Sequence, residues 1–400
     1  MMRIGIVVAV ASLLLLGAPA RAQDASPRGG FTGSAACRDC HRSEYDRWQK
    51  TRMANVVVDP KKHPEAVLGD FSKPNDLVNF KIRDVAFLYG SHWKQRYFVK
   101  RGDDYFVLPV QWDVINKVWR RYTVEPGTDW WVEHYPDPAE RRTGPLCDGC
   151  HSTNYDVTTK QVTEWNVGCE KCHGAGAEHV AHPTVQNIVN PARLDQVRGV
   201  DTCLQCHSQG QPKEKPLNGV YYDWPVGYQP GDRLADFWEL EEHKLGDETF
   251  THWPEGTAHK NRMQGNDFVQ SQMYKRGVAC WDCHDVHGTD NESLLVKPVT
   301  SVCGTCHEPG TPAGPPEPLQ EHTHHSVGNV QCVDCHLPKV ERTIADVSVR
   351  SHTFRFIPPA ATEQYKIPNP CSSCHRDMTP AAAEAALMRW PNVSPWRISR

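Results

Sequence analysis

Five residues, Cys280-Trp281-Asp282-Cys283-His284, carry the pattern that most limits how this chain can fold. Two cysteines separated by two residues, with histidine directly after, form the attachment signature of haem c. The two thiols bond along one porphyrin edge, and the adjoining imidazole reaches the iron as proximal ligand. The phrase is also read at Cys37, Cys40 and His41, at Cys147, Cys150 and His151, at Cys169, Cys172 and His173, and at Cys203, Cys206 and His207. Three more copies follow, at Cys303, Cys306 and His307, at Cys332, Cys335 and His336, and at Cys371, Cys374 and His375, making eight in all.

Cysteine pairs at this spacing also build zinc ribbons, redox-active dithiols and disulfide scaffolds. None of those needs a histidine directly after the second cysteine. Here all 16 cysteines fall into such pairs, and every pair carries the histidine although the 400 residues include only 21. The expected cofactors are therefore eight covalently bound haem c groups with iron, and the expected class is an octahaem c-type cytochrome.

Composition agrees. Residues 1–22 read as an export signal: Arg3 supplies the charge, Ile4 to Leu16 the apolar run, and Ala20-Arg21-Ala22 the small-residue cleavage site. The run is short for a membrane span, so no stable span is expected after cleavage. A periplasmic or otherwise exported bacterial protein is expected. Apolar residues make up 39%, against about 45–50% in ordinary globular chains; porphyrin plates would supply the missing core. No basic patch points to nucleic acid. The fold class expected is mainly α with extensive loop, a multihaem core wrapped around eight haems, plus a small β-rich module near the N-terminus. After the signal come a first haem segment (23–75), the haem-free β-rich module (76–140), a seven-haem core (141–378) and a C-terminal helix and tail (379–400).

In chain order, Arg42 to Ala54 reads as helical after the first motif. The motif followed by Trp48 and Thr51-Arg52-Met53 resembles the first haem segment of the tetrahaem cytochromes that accompany hydroxylamine oxidoreductase. In that pattern a Thr-x-His supplies a distal ligand, so the resemblance implies that role for Met53; a core methionine is the other reading. Lys94 to Lys100 and Tyr105 to Trp112 read as strands joined by Arg101-Gly102-Asp103-Asp104, with further strand text at Val118 to Val124. His92 reads as a strand surface residue and His134 as a weak distal candidate.

Gly168 to Gly174, a GCExCHG phrase, is followed six residues after His173 by His179. This resembles the nitrite reductase and hydroxylamine oxidoreductase superfamily, in which such a histidine caps another haem; His182 is its understudy. The order from Gly144 to Glu308 is similar to that of pentahaem cytochrome c nitrite reductase, with departures. The family's catalytic lysine falls on His151, its active-site tyrosine on Gly210 and a further histidine on Met273, while its catalytic histidine corresponds to His259. His259 is alternatively a distal ligand. Arg233 to Lys244 and Asp267 to Lys275 read as helices. His287 belongs to a CxxCHxxHG phrase and is expected to cap a neighbouring haem. Among His322, His324 and His325 one ligand is expected, taken as His324. His352 follows a CHxP phrase, and the superfamily resemblance makes it a distal ligand. Thr379-Pro380 opens a last helix.

Eight motif histidines leave thirteen others, enough to saturate every iron. A saturated iron has no open position for substrate, which favours electron relay between redox partner proteins, such as other cytochromes or quinol-linked donors. The rival is a reductase of nitrite, hydroxylamine or a sulfur oxyanion with one open haem, at His151. A third reading is a subunit of a haem filament; self-association is left open.

Overall fold

The computed structural model describes residues 29–390 except 123–134, 136, 215, 216, 218, 244, 248 and 327. The export-signal reading and His134 lie outside the described residues. Five strands form an antiparallel meander: β1 (Val57–Val58), β2 (Phe87–Tyr89), β3 (Lys94–Arg101), β4 (Asp104–Asp113) and β5 (Val118–Arg121). The β3–β4 hairpin closes with Arg101 opposite Asp104, and Gly102 takes the left-handed turn at φ 59°.

Alternation along the strands sorts the side chains onto two faces. One face gathers Val85, Leu88, Tyr97, Leu108, Val110, Trp112 and Trp119 against Phe71 and Phe80. The other gathers Val57, Tyr89, Phe98, Val107 and Tyr122 against Leu146 and Cys147. A sheet covered on both sides is thus fixed directly to a CxxCH segment. That segment begins in a π-helical turn, Gly144–Asp148.

The remaining helices are short. The longest described α-helix, Gln196–Leu204, has 9 residues, while β4 has 10. Among the described residues, helix is therefore present in one- and two-turn pieces rather than as a dominant scaffold. Helix Arg42–Trp48 stops early, because Asn55 caps the carbonyls of Gln49 and Thr51 through its Nδ2. The helix expected over Arg233 to Lys244 is instead a 3-10 turn, Leu234–Asp236, and a strand, Trp238–Leu240. Extended backbone there lays buried Trp238 against Gly210 on the paired strand Gly210–Pro212, where any Cβ would meet the indole at 2.3 Å. Tertiary fit overrides helix propensity. The segment after Asn266 divides at Ser271, whose side chain accepts from Tyr274 N and caps Gln272–Lys275. Helix Pro380–Leu387 starts as read, with Thr379 accepting from Ala382 N. Among the described residues no helix is long and apolar enough to cross a membrane.

Candidate haem-binding framework

Each CxxCH phrase occupies a tight helical or 3-10 turn, and in several the amide of its histidine donates to the carbonyl of its first cysteine, among them His41 to Cys37 at 2.9 Å and His284 to Cys280 at 3.0 Å. The turn brings both thiols and the imidazole to one side of a single loop. What lies opposite each imidazole comes from elsewhere in the chain.

Five motif histidines face a second histidine from outside the motifs. His41 and His179 have ring centroids 6.4 Å apart at 25°, and His173 and His287 are 6.1 Å apart at 20°. His284 and His352 stand at 6.5 Å and 28°. His336 and His322 stand at 6.3 Å and 8°, and His375 and His325 at 6.1 Å and 47°. Every such pair joins one motif histidine to one other. The outer ring is anchored through Nδ1 in all five: His179 donates to Thr184 O and Asn187 Oδ1, His287 to Asp285 Oδ1, His352 to Arg350 O, His322 to Glu317 Oε1 and His325 to Thr323 O. A fixed Nδ1–H leaves Nε2 as the lone-pair nitrogen, the tautomer a metal ligand needs. Burial first, and neighbouring His284 next, hold His352 down to about 4, so its ring is neutral.

His324, the residue chosen from the sequence, faces no motif histidine among the described residues; it packs against Trp390, tilted by 31°, with ring centroids 4.4 Å apart. Helix Leu319–Thr323 ends at His324 in the left-handed conformation (φ 53°). The chain turns there, sending His322 and His325 to different motifs. Two ligand candidates were therefore missed where one was expected; the local signal was the triple itself. Met53 sits in a 3-10 turn, Met53–Asn55, and His179 occupies the place opposite His41. His259 packs edge-on to Trp253 at 4.5 Å, and its buried ring nitrogens have no well-formed hydrogen bond.

Three motif histidines differ. His151 is half-buried, with Tyr89 at its edge (5.2 Å) and no stacked histidine among the described residues. Burial first, then the charge of Arg96 and Arg262, pulls it down to about 4. Tyr89 donates to Asp148 at 2.6 Å. His207 lies beside Gln264, and His307 donates through Nδ1 to Ala313 O.

The cysteines also link motifs. Cys37 and Cys169 are hydrogen-bond neighbours, as are Cys150 and Cys206, Cys203 and Cys280, and Cys303 and Cys332. Cys283 lies near Cys306. The partly buried Arg262 clamps Asp223 with two 2.8 Å bonds and donates to Ser208 O, close to Cys150 and Cys206.

Two family profiles match parts of the chain. "Cytochrome c554 and c-prime" matches residues 36–77 and 129–174, and "Doubled CXXCH motif" matches residues 272–311. The Dissimilatory sulfite reductase MccA of Wolinella succinogenes is 21% identical, over 77% of this chain and 50% of its own. A probable nitrite reductase-hydroxylamine oxidoreductase fusion protein of Kuenenia stuttgartiensis is 24% identical, over 42% of this chain and 19% of its own. The chain thus spans half or less of the length of these curated relatives. The crystal structure of the outer cell wall cytochrome OcwA superposes with a TM-score of 0.73 at 23% identity, covering 90% of this chain and 87% of that one; at this identity the likeness establishes the fold. The motifs, the profile matches and the shared fold together make this chain a multihaem c-type cytochrome.

Proposed function

We propose that the chain is an exported octahaem cytochrome that relays electrons between redox partner proteins. The observation that carries this reading is the set of five facing histidine pairs. A metal–imidazole bond is about 2 Å and a ring nitrogen lies about 1.1 Å from its centroid, so two rings on one iron have centroids about 6 Å apart. The five separations, 6.1 to 6.5 Å, match that span.

Haem supplies a reversible one-electron couple. The residues determine how the couples connect. Thiol neighbours join motif one to three, two to four, four to five and six to seven, and Cys283 beside Cys306 joins five to six. Cys172 near Cys203 joins three to four. The route therefore leaves sequence order: one, three, four, five, six, seven, with the motif at His151 as a branch from that at His207. Anchored Nδ1 groups hold each ring in place as charge changes, and burial lowers the local dielectric to tune potentials. Localisation outside the cytoplasm is supported by the fold relative, an outer cell wall protein.

Electron paramagnetic resonance of the oxidised, haem-loaded protein tests the relay. Low-spin signals for the five paired haems are expected; a protein with all haems high-spin refutes it. A second reading, reduction of a nitrogen or sulfur oxyanion at the His151 haem, is favoured by one observation: no described histidine stacks opposite His151, while Arg96 and Arg262 bring positive charge near it. The relatives from Kuenenia stuttgartiensis and Wolinella succinogenes are named as reductases of this class. Turnover of nitrite, hydroxylamine or sulfite with a reduced viologen, alongside one high-spin haem, checks it.

A further inference from the structure

Three motif histidines give Nδ1–H to a backbone carbonyl: His173 to Val189 at 2.7 Å, His284 to Ser293 at 2.9 Å, and His307 to Ala313. His207 is arranged differently. Beside its ring lies the side-chain amide of Gln264, whose buried Oε1 favours a proton on the imidazole without forming a well-aligned bond. The same amide donates through Nε2 to Glu341 Oε2 at 3.0 Å and to Asn261 O at 2.7 Å. Glu341 stands on strand Lys339–Ile344 with 0% exposure, and its Oε1 has no hydrogen-bond partner. A side-chain wire thus runs from a motif imidazole to a buried, half-satisfied carboxyl group.

A buried carboxylate with one free oxygen is costly unless a positive charge compensates. Oxidised iron at His207 would bring such a charge; reduction would remove it. We propose that Glu341, acting through Gln264, is a proton-binding site coupled to reduction of the haem held by Cys203, Cys206 and His207. This rests on the haem-bearing role proposed above for that motif. If a haem held at this motif were reduced by one electron from a neighbouring haem or an added low-potential reductant, Glu341 Oε1 would take one proton from solvent, so that charge near His207 is conserved. Gln264 is the positioning residue: it lies beside the imidazole and links it to Glu341.

The charged and titratable groups on the elements around Glu341 are Asp267 on helix Gln264–Gln270, His252, His259 and Lys260 on the preceding loop, and Arg350 on the paired strand. Arg350 is committed to Asp334 and to the Val333 and Leu337 carbonyls. Lys260 lies over the Phe250 ring. Burial first, then the charge of Asp267, drives the Glu341 carboxyl well above the usual range, so a proton resides there readily.

The test is a redox titration of the full-length, haem-loaded protein from pH 5 to 9, followed optically and by the haem methyl resonances. One component is expected to shift with pH, its equilibrium changing by up to tenfold per pH unit, about 59 mV for a one-electron couple. Glu341→Gln should flatten that component and leave the others. Gln264→Leu should displace the midpoint of the same component alone and weaken its slope. A wild-type protein without any pH-dependent component, or a Glu341→Gln variant keeping the wild-type slope, overturns the proposal. Mass spectrometry separates the two failures: protein lacking haem on the Cys203–Cys206 peptide would instead overturn the relay assignment beneath it.

Discussion

His322 and His336 hold their imidazoles 6.3 Å apart and 8° from parallel, with Glu317 Oε1 fixing the outer ring at 3.1 Å. The two histidines lie only fourteen positions apart, yet the turn at His324 is what lets them meet. The same turn gives His325 to a different motif, and it bears on how the iron-binding positions are tested.

His325 and His324 are adjacent but not equivalent. Replacing His325 with Ala is expected to leave the haem on His375 without its second ligand. One haem equivalent should then change from low to high spin in the electron paramagnetic resonance spectrum. His324→Ala should leave the spectrum unchanged and weaken only packing on Trp390. The reverse result would show that the facing pair is not the iron-binding pair.

A similar comparison separates His179 from Met53. His179 faces His41, so His179→Ala should produce one five-coordinate haem that binds added imidazole. Met53→Leu should keep all low-spin bands. Loss of a thioether–iron charge-transfer band at the red end of the visible spectrum would assign the sulfur instead.

Glu170 ties the start of the described chain to the third motif. Its carboxylate accepts from Thr32 N, Gly33 N and Gly176 N, at 2.7 Å for the last two, and it is 2% exposed. Glu170→Gln should cost about 2 kcal/mol, because charge-assisted bonds weaken and one oxygen becomes a donor facing donors. Thermal unfolding of haem-loaded protein measures this; an unchanged midpoint refutes it.

Asp201 gives a pH prediction. Its side chain accepts from Leu234 N at 2.9 Å, and burial raises its carboxyl from 3.8 to about 6. A raised folded pKa means that its contribution to stability is full below about 3.8 and is lost as pH rises through about 6. Stability should therefore decline between pH 4 and pH 7. Asp201→Asn should reduce that decline by about 1–2 kcal/mol, read from denaturant midpoints at both pH values. A variant whose pH profile overlays the wild type contradicts this origin.

Much of the molecule was legible in the chain because its signals are local. A CxxCH turn is specified within five residues. The β3–β4 hairpin follows from alternating side chains and a glycine at the one position needing positive φ. The Thr379 cap of helix Pro380–Leu387 is likewise a four-residue matter. The segment around Trp238 was not legible, since its extended backbone depends on Gly210 across a strand pair. Nor was the division of His322, His324 and His325.

The sequence by itself therefore determined the eight CxxCH turns and, with them, the cysteine pairs and adjoining imidazoles proposed to hold haem, because that geometry is fixed within one turn. Only the tertiary structure decided which second histidine faces five of them, which motifs neighbour one another, and that Gln264 lies between His207 and Glu341. Those relations join residues as far apart as His41 and His179, and they depend on how separate loops pack around shared space rather than on any short-range preference of the chain.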